Sequence, residues 1–209
     1  MAGLRERQKA ARERRILEAA STQFRKSGYR AAKIEDIAEA AEVSVGTIYN
    51  YYQTKGDILI ATVAMEDQEV IAAGARILEH PPERVGAALL ALIYQYYDSS
   101  LKYLSKEMWR LAIAHSIENP LCPSGQRYAE LDRQLAKQVT DLIRVLQHRG
   151  DIDPDLDVGS LGQLIFSAIN QAFIGFVKVD DMTLHDLHAL IASQIEPLAT
   201  QIEADVGTQ

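Results

Sequence analysis

The sequence predicts an all-α protein: an N-terminal three-helix helix-turn-helix unit followed by a larger helical domain, about nine helices in total. Three observations carry that expectation. Only six prolines and twelve glycines interrupt 209 residues whose Ala, Leu, Ile, Gln, Glu and Arg content favours helices. Apolar residues recur at three- and four-residue spacing. The breaks between such stretches coincide with Pro81-Pro82, Asn119-Pro120, Pro123, Gly150 with Asp153-Pro154, and Asp180-Asp181. Hydrophobic residues at 47% and charged ones at 24% are ordinary for globular chains, which excludes a mostly disordered or collagen-like protein. The single cysteine, Cys122, excludes a disulfide framework and a cysteine-based zinc site.

Element by element, Ile16, Leu17, Ala20 and Phe24 mark one face of a first helix, which Gly28 caps so that it ends near Ser27. A second, shorter helix fits Ile34 to Ala41. Glu42-Val43-Ser44 then leaves room only for a tight turn, and Ser44 is placed to accept a hydrogen bond from a free amide of a third helix, about Val45 to Tyr51. Val43, Ile48 and Tyr52 point inward from this unit, leaving Val45, Gly46, Thr47, Tyr49, Asn50 and Tyr51 outside. A fourth helix starts near Lys55, with Thr54 as N-cap, and runs to about Glu79. Further helices are expected at roughly 83–101, 104–117, 123–149, 156–179 and 184–203. A domain boundary is placed inside the fourth helix: residues 1–63, with a basic arm over 1–12, form the N-terminal domain and 64–209 the C-terminal one.

Charge is divided unevenly. The chain carries -7 in total, yet residues 1–33 hold ten Lys or Arg against three Glu, leaving -14 on the remainder. A local cluster of this kind suits a polyanion, because phosphate attraction acts over about a Debye length of 8–10 Å. Two short helices joined by a three-residue turn and braced by a preceding helix form a unit whose second helix enters a major groove. Gly46 lets the backbone approach closely, Thr47 offers a hydroxyl and a methyl, Asn50 an amide suited to an adenine edge, and Tyr49 and Tyr51 phenols that reach phosphates. A helical hairpin exposing a few aromatics is the alternative.

Ile16-Leu-Glu-Ala-Ala, Phe24-Arg-Lys-Ser-Gly-Tyr29, Ile34-Glu-Asp-Ile-Ala38, Val43-Ser-Val-Gly-Thr-Ile-Tyr-Asn-Tyr-Tyr52 and Lys55-Gly-Asp-Ile-Leu59 together resemble the N-terminal domain of the tetracycline-repressor (TetR) family, over about residues 12–63. The resemblance implies a homodimeric bacterial transcription regulator, usually a repressor, that binds a palindromic double-stranded operator and leaves it when a small molecule enters the C-terminal domain. It places the recognition helix on Val45, Gly46, Thr47, Tyr49, Asn50 and Tyr51, after Ser44, and a phosphate-binding lysine on Lys55. Three positions depart from the family pattern. Lys33 stands where Thr or Ser usually caps the second helix, trading a cap of about 1 kcal/mol for an extra phosphate contact. Glu42 stands where Gly usually makes the turn, and Tyr52 where Phe usually packs.

Beyond residue 63 the resemblance fades and the residues supply candidates only. Tyr94, Tyr97, Trp109, His115 and Tyr128, with Phe166, Asn170 and Phe173 from the penultimate helix, mix aromatic and polar groups as a ligand pocket does; a plain hydrophobic core is the alternative. Few basic residues accompany them, which favours a neutral or cationic, partly aromatic or acyl effector. The last two helices offer Leu161, Ile165, Ala168, Ile169 and Ala172, and Leu187, Leu190, Ile191 and Ile195, as half of an intermolecular four-helix bundle, in the place where this family dimerises. Completing the monomer core is the other reading of both helices.

Several features are set aside. Residues 158–177 carry no formal charge and have the length of a membrane span, but Ser160, Gln163, Ser167, Asn170 and Gln171 argue for a buried helix instead. The charged N-terminus lacks the apolar stretch of a secretory signal, so a cytoplasmic protein is expected. His185 and His188 lack further ligands, so no metal is expected. Cys122 lacks a basic sequence neighbour and is read as an inert thiol. No catalytic motif is found and no cofactor is expected, so an enzyme is not the reading. The rival to a regulator is a helical small-molecule carrier or interaction protein that retains the fold without operator binding.

Overall fold

The computed structural model describes residues 3–204; residues 1–2 of the basic arm and 205–209 of the C-terminal domain lie outside the described residues. Among the described residues there are nine helices and no strand: α1 (Leu4–Ser27), α2 (Ile34–Ala40), α3 (Val45–Tyr51), α4 (Lys55–Glu79), α5 (Val85–Ser99), α6 (Lys106–Glu118), α7 (Pro123–Arg149), α8 (Val158–Lys178) and α9 (Leu184–Ile202). The all-helical expectation holds, with ends within three residues wherever the sequence marked both.

The chain groups into two compact units. The first comprises residues 1–67 and 100–130; the second comprises 68–99 and 131–209. Each is therefore built from two separate stretches of chain, which a single division at residue 63 does not describe. A sequence divided by local composition has no signal for this, because the return of α6 to the first unit depends on pairings far apart in the chain. Ser21 Oγ donates to the Tyr103 carbonyl, Arg25 to the carbonyls of Leu101 and Lys102, and Trp109 Nε1 to the Ser100 carbonyl at 2.6 Å. These bonds fix the 100–105 loop inside the first unit.

In the first unit α1 packs on α2 and α2 on α3, around Ile16, Phe24, Ile37 and Ile48, all fully or almost fully buried. The second unit is held by α5 and α8 against α9. Its loops are tied by long side chains that satisfy free carbonyls. Arg149 donates to Pro81, Pro82 and Glu83, and Gln147 Nε2 to Asp153, Pro154 and Leu156. Helices α7 and α8 approach so closely at Gly162 that an added Cβ would lie 2.2 Å from Thr140 Oγ1 and 2.8 Å from its Cα. Helix α8 is 21 residues long and apolar enough to span a bilayer, but one such helix does not make a membrane protein, and here its Ile165, Ile169 and Phe176 are core residues of a unit that also buries α9.

Candidate nucleic-acid interface

Helix α3 has only seven residues, too few to hold together without its surroundings, and both of its ends are secured. Ser44 is the N-cap: its Oγ accepts from the Thr47 amide at 3.1 Å and pairs with Thr47 Oγ1 at 2.8 Å. The turn before it is a Schellman motif. The Val43 amide donates to Ala38 O at 3.0 Å and the Glu42 amide to Glu39 O at 3.1 Å, with Glu42 left-handed at φ 55°. The turn thus keeps the geometry that glycine would adopt most easily, at a cost carried by a glutamate. Tyr52 closes the far end, buried, with its phenol donating to Glu13 of α1 at 3.1 Å. Burial, together with the Glu13 carboxylate beside it, raises its pKa.

What this scaffold presents is a helix that buries Ile48 alone. Gly46, Tyr49 and Asn50 are exposed, Tyr49 to 54%, and Val45, Thr47 and Tyr51 are half-buried. The six expected contact positions of α3 therefore share one small surface. Lys33 is exposed and gives α2 no side-chain cap. Lys55 is placed differently from a free phosphate ligand. Its three ammonium hydrogens match three backbone carbonyls, those of Tyr29, Arg30 and Ala32, at 2.8, 2.9 and 2.9 Å, and its Nζ lies 5.1 Å from the Tyr29 ring centroid. It ties the α1–α2 loop to the start of α4, whose own N-cap is Thr54 in a reciprocal pair with Asp57.

Helix α1 supplies residues that the α3 pattern alone did not single out. Lys9, Arg12 and Glu13 line a cleft of about 520 Å³ with Thr47, Asn50 and Tyr51. Lys9 Nζ stands 6.0 Å from the Tyr51 ring centroid. The signal for these residues was the helical periodicity upstream of Ile16, which continues unbroken to Leu4.

The expected effector residues divide between the units. Tyr94, Tyr97, Phe166, Asn170 and Phe173 belong to the second unit, Trp109, His115 and Tyr128 to the first. Tyr97 and Phe173 stack at 6.0 Å with planes 9° apart, and the buried Tyr97 phenol, its pKa raised by that burial, donates to Ile169 O at 2.9 Å. Tyr94 stacks on His188 at 4.0 Å. His115 instead joins Ser124 at 2.9 Å and Cys122 at 4.0 Å in a cleft of about 470 Å³ that also includes Tyr51, Tyr52 and Arg127. Cys122 therefore has a histidine beside it in space that is seven positions away in sequence. The Ser124 hydroxyl and the Gly125 amide lower its thiol pKa, so the inert reading was drawn from too local a view.

Of the expected dimer residues, Ile165, Ile169, Ala172, Leu187, Ile191 and Ile195 are already buried within the chain. A surface that a partner covers must be open in the single chain, so these six are core. The face left open on α8 and α9 carries Leu164, 61% exposed, and Leu190, 39% exposed, beside a shallow cleft of Ala168, Gln171, Ala172, Gly175, Met182, Leu190 and Gln194. Leu161 and Ala168 are half-buried.

Residues 16–62, which contain α2, α3 and the start of α4, match the family model described as "Bacterial regulatory proteins, tetR family". The HTH-type transcriptional repressor KstR of Rhodococcus jostii is 29% identical over 133 residues, 62% of this chain and 60% of that protein. The fatty acid metabolism regulator protein of Bacillus subtilis is 28% identical over 204 residues, 94% of this chain and 98% of that one. The crystal structure of the Bacillus subtilis regulator FadR in complex with stearoyl-CoA superposes with a TM-score of 0.65 at 25% identity, covering 90% of this chain and 98% of that one. By its capped reading helix and these likenesses the chain belongs to the tetR family of bacterial regulatory proteins, as a transcription regulator and not an enzyme.

Proposed function

We propose that the chain acts in the cytoplasm as a homodimeric repressor of a palindromic operator and is released by an apolar acyl effector. The observation that carries this reading is α3 itself, a seven-residue helix capped at both ends whose only buried residue is Ile48. Such a helix contributes little to a core; its exposed Thr47, Tyr49, Asn50 and Tyr51 match the donors and acceptors of a major groove. In this reading residues 1–63 bind DNA and 64–209 hold the effector and the partner subunit. Dimerisation uses the open face of α8 and α9 around Leu164, Ala168 and Leu190, where apolar groups are exposed.

The acyl effector is suggested by the stacked Tyr97–Phe173 pair and by the full-length likeness to a regulator crystallised with stearoyl-CoA. An effector releases DNA only by binding the DNA-incompetent state more tightly than the competent one. Helix α4, which passes from the first unit into the second, is the covalent route by which such a preference reaches α3. The test is gel retardation of the duplex upstream of the chain's own gene, with and without stearoyl-CoA. Retardation that stearoyl-CoA reverses supports the reading. Stearoyl-CoA bound with no retardation marks a carrier, and retardation insensitive to it removes the acyl effector.

A further inference from the structure

We propose that the first turns of α1 are a second DNA-contacting element: Arg5, Lys9 and Arg12 form one cationic face that, with Thr47, Asn50 and Tyr51, clasps the phosphodiester backbone beside the groove that α3 enters. This rests on the operator-binding reading above and specifies how the basic N-terminal residues take part in it.

The segment is not a loose arm. Helix α1 begins at Leu4, where Glu6 Oε2 accepts from the Gly3 amide at 3.0 Å, and it continues without a break to Ser27. Helical register therefore decides where each charge points. Positions 5, 9, 12 and 16 fall on one face at three- and four-residue spacing. Ile16 on that face is fully buried, and Glu13 next to it accepts the Tyr52 phenol, so the face is the one turned toward α3. Upstream of Glu13 the same face overhangs the body, and there every residue is exposed.

Two features point to a polyanion as its occupant. The overhang carries Arg5, Lys9 and Arg12, and the cleft that Lys9 and Arg12 share with α3 contains a single acid, Glu13, one of whose oxygens is already engaged by Tyr52. The Lys9 ammonium is turned toward α3, 6.0 Å from the Tyr51 ring. Cations near a helix N-terminus also oppose the helix dipole, an arrangement that an anionic partner relieves. From Arg5 to Arg12 the helix rises about 10 Å, close to the axial rise of three successive phosphates on one strand, about 3.4 Å each. Because the helix is already formed, these charges sit at fixed places along that strand and need no ordering on contact. Arg14 points elsewhere and is held by Glu18 at 2.8 Å.

Two charge-matched double variants separate position from net charge: Lys9→Gln with Arg12→Gln, and Arg14→Gln with Lys26→Gln. All four sites are exposed, and circular dichroism melting checks that the fold is kept. The probe is the duplex that the unaltered protein selects from a random-sequence pool, titrated from 50 to 200 mM salt. The first variant is expected to bind at least about tenfold more weakly at 100 mM salt and to flatten the log–log salt slope by about 1.8, as for two lost phosphate contacts. The second is expected to change affinity less than about threefold with its slope within about 0.5 of the original. Equal losses in the two variants, or none in the first, overturn the clasp while leaving the operator-binding reading standing. An unaltered protein that selects no duplex overturns both.

Discussion

Of the seven residues of α3 one is buried, whereas α8 buries seven of its 21, among them Ile165, Phe166, Ile169 and Phe176. The first helix is held by contacts close in sequence: an N-cap three residues away, a Schellman turn immediately before it and Tyr52 immediately after. The second is held across the chain, by Thr140 against Gly162 and by Tyr97 on the Ile169 carbonyl. The difference shows where function can be read from side chains. In α3 the exposed hydroxyl, amide and phenols have no folding task to explain them, so their chemistry points outward to a ligand. In α8 and its neighbours every aromatic ring has a packing partner or a hydrogen bond that accounts for it.

The contrast makes predictions, beginning with the largest effect. Thr47→Ala with Tyr49→Ala should weaken operator binding by at least about 100-fold, as for two contacts of about 1–3 kcal/mol each, with a thermal midpoint within about 2 °C of the parent. Gel retardation and calorimetry measure the two halves, and a large fall in melting temperature would give α3 a structural duty that the contrast denies. Gly162→Ala should do the reverse. It forces α7 and α8 apart at Thr140 and should cost about 1–3 kcal/mol of stability in urea unfolding.

Lys55→Met tests a residue on the border between the two kinds of region. With three carbonyls depending on its ammonium, it should lose about 1–3 kcal/mol of stability, an effect that a lysine reserved for phosphate would not show. Asp132, whose carboxyl burial pushes up to about 6, supplies the pH dependence of the second unit. An acid whose folded pKa lies above its unfolded value near 3.8 destabilises the fold progressively as pH rises from about 4 to 6, and fully above that. Asp132→Asn should therefore be more stable than the parent by about 1–2 kcal/mol at pH 7.5 and equal to it near pH 3.5. The smallest effect is expected at the turn before α3, where Glu42→Gly should add about 0.5–1 kcal/mol by relieving a left-handed glutamate, read as a rise in the urea midpoint.

The same division explains what was legible in the sequence. Helix ends were, because caps and breakers act locally: Ser44, Thr54, Gly28 and Pro81-Pro82 each marked an end within a residue or two. The reading surface was legible for the same reason, since a seven-residue helix with one apolar anchor leaves few choices. The open face of α8 and α9 was not. Two helices apolar on most sides offer several stripes, and only packing decides that Ile165, Ile169 and Ile191 turn inward while Leu164 and Leu190 stay exposed. Nor was the His115–Ser124–Cys122 cluster, which forms only when the corner between α6 and α7 folds back on itself. Lys55 could be located but not interpreted, because its carbonyl partners lie more than 20 residues upstream.

The claim on which the account turns is that two copies of α3 read one duplex together. Hydroxyl-radical footprinting of the selected operator measures it directly. Two protected patches related by the operator's symmetry, about 34–36 Å or a multiple of it apart, are the expected result; a single patch, or protection at sites without two-fold symmetry, would contradict it.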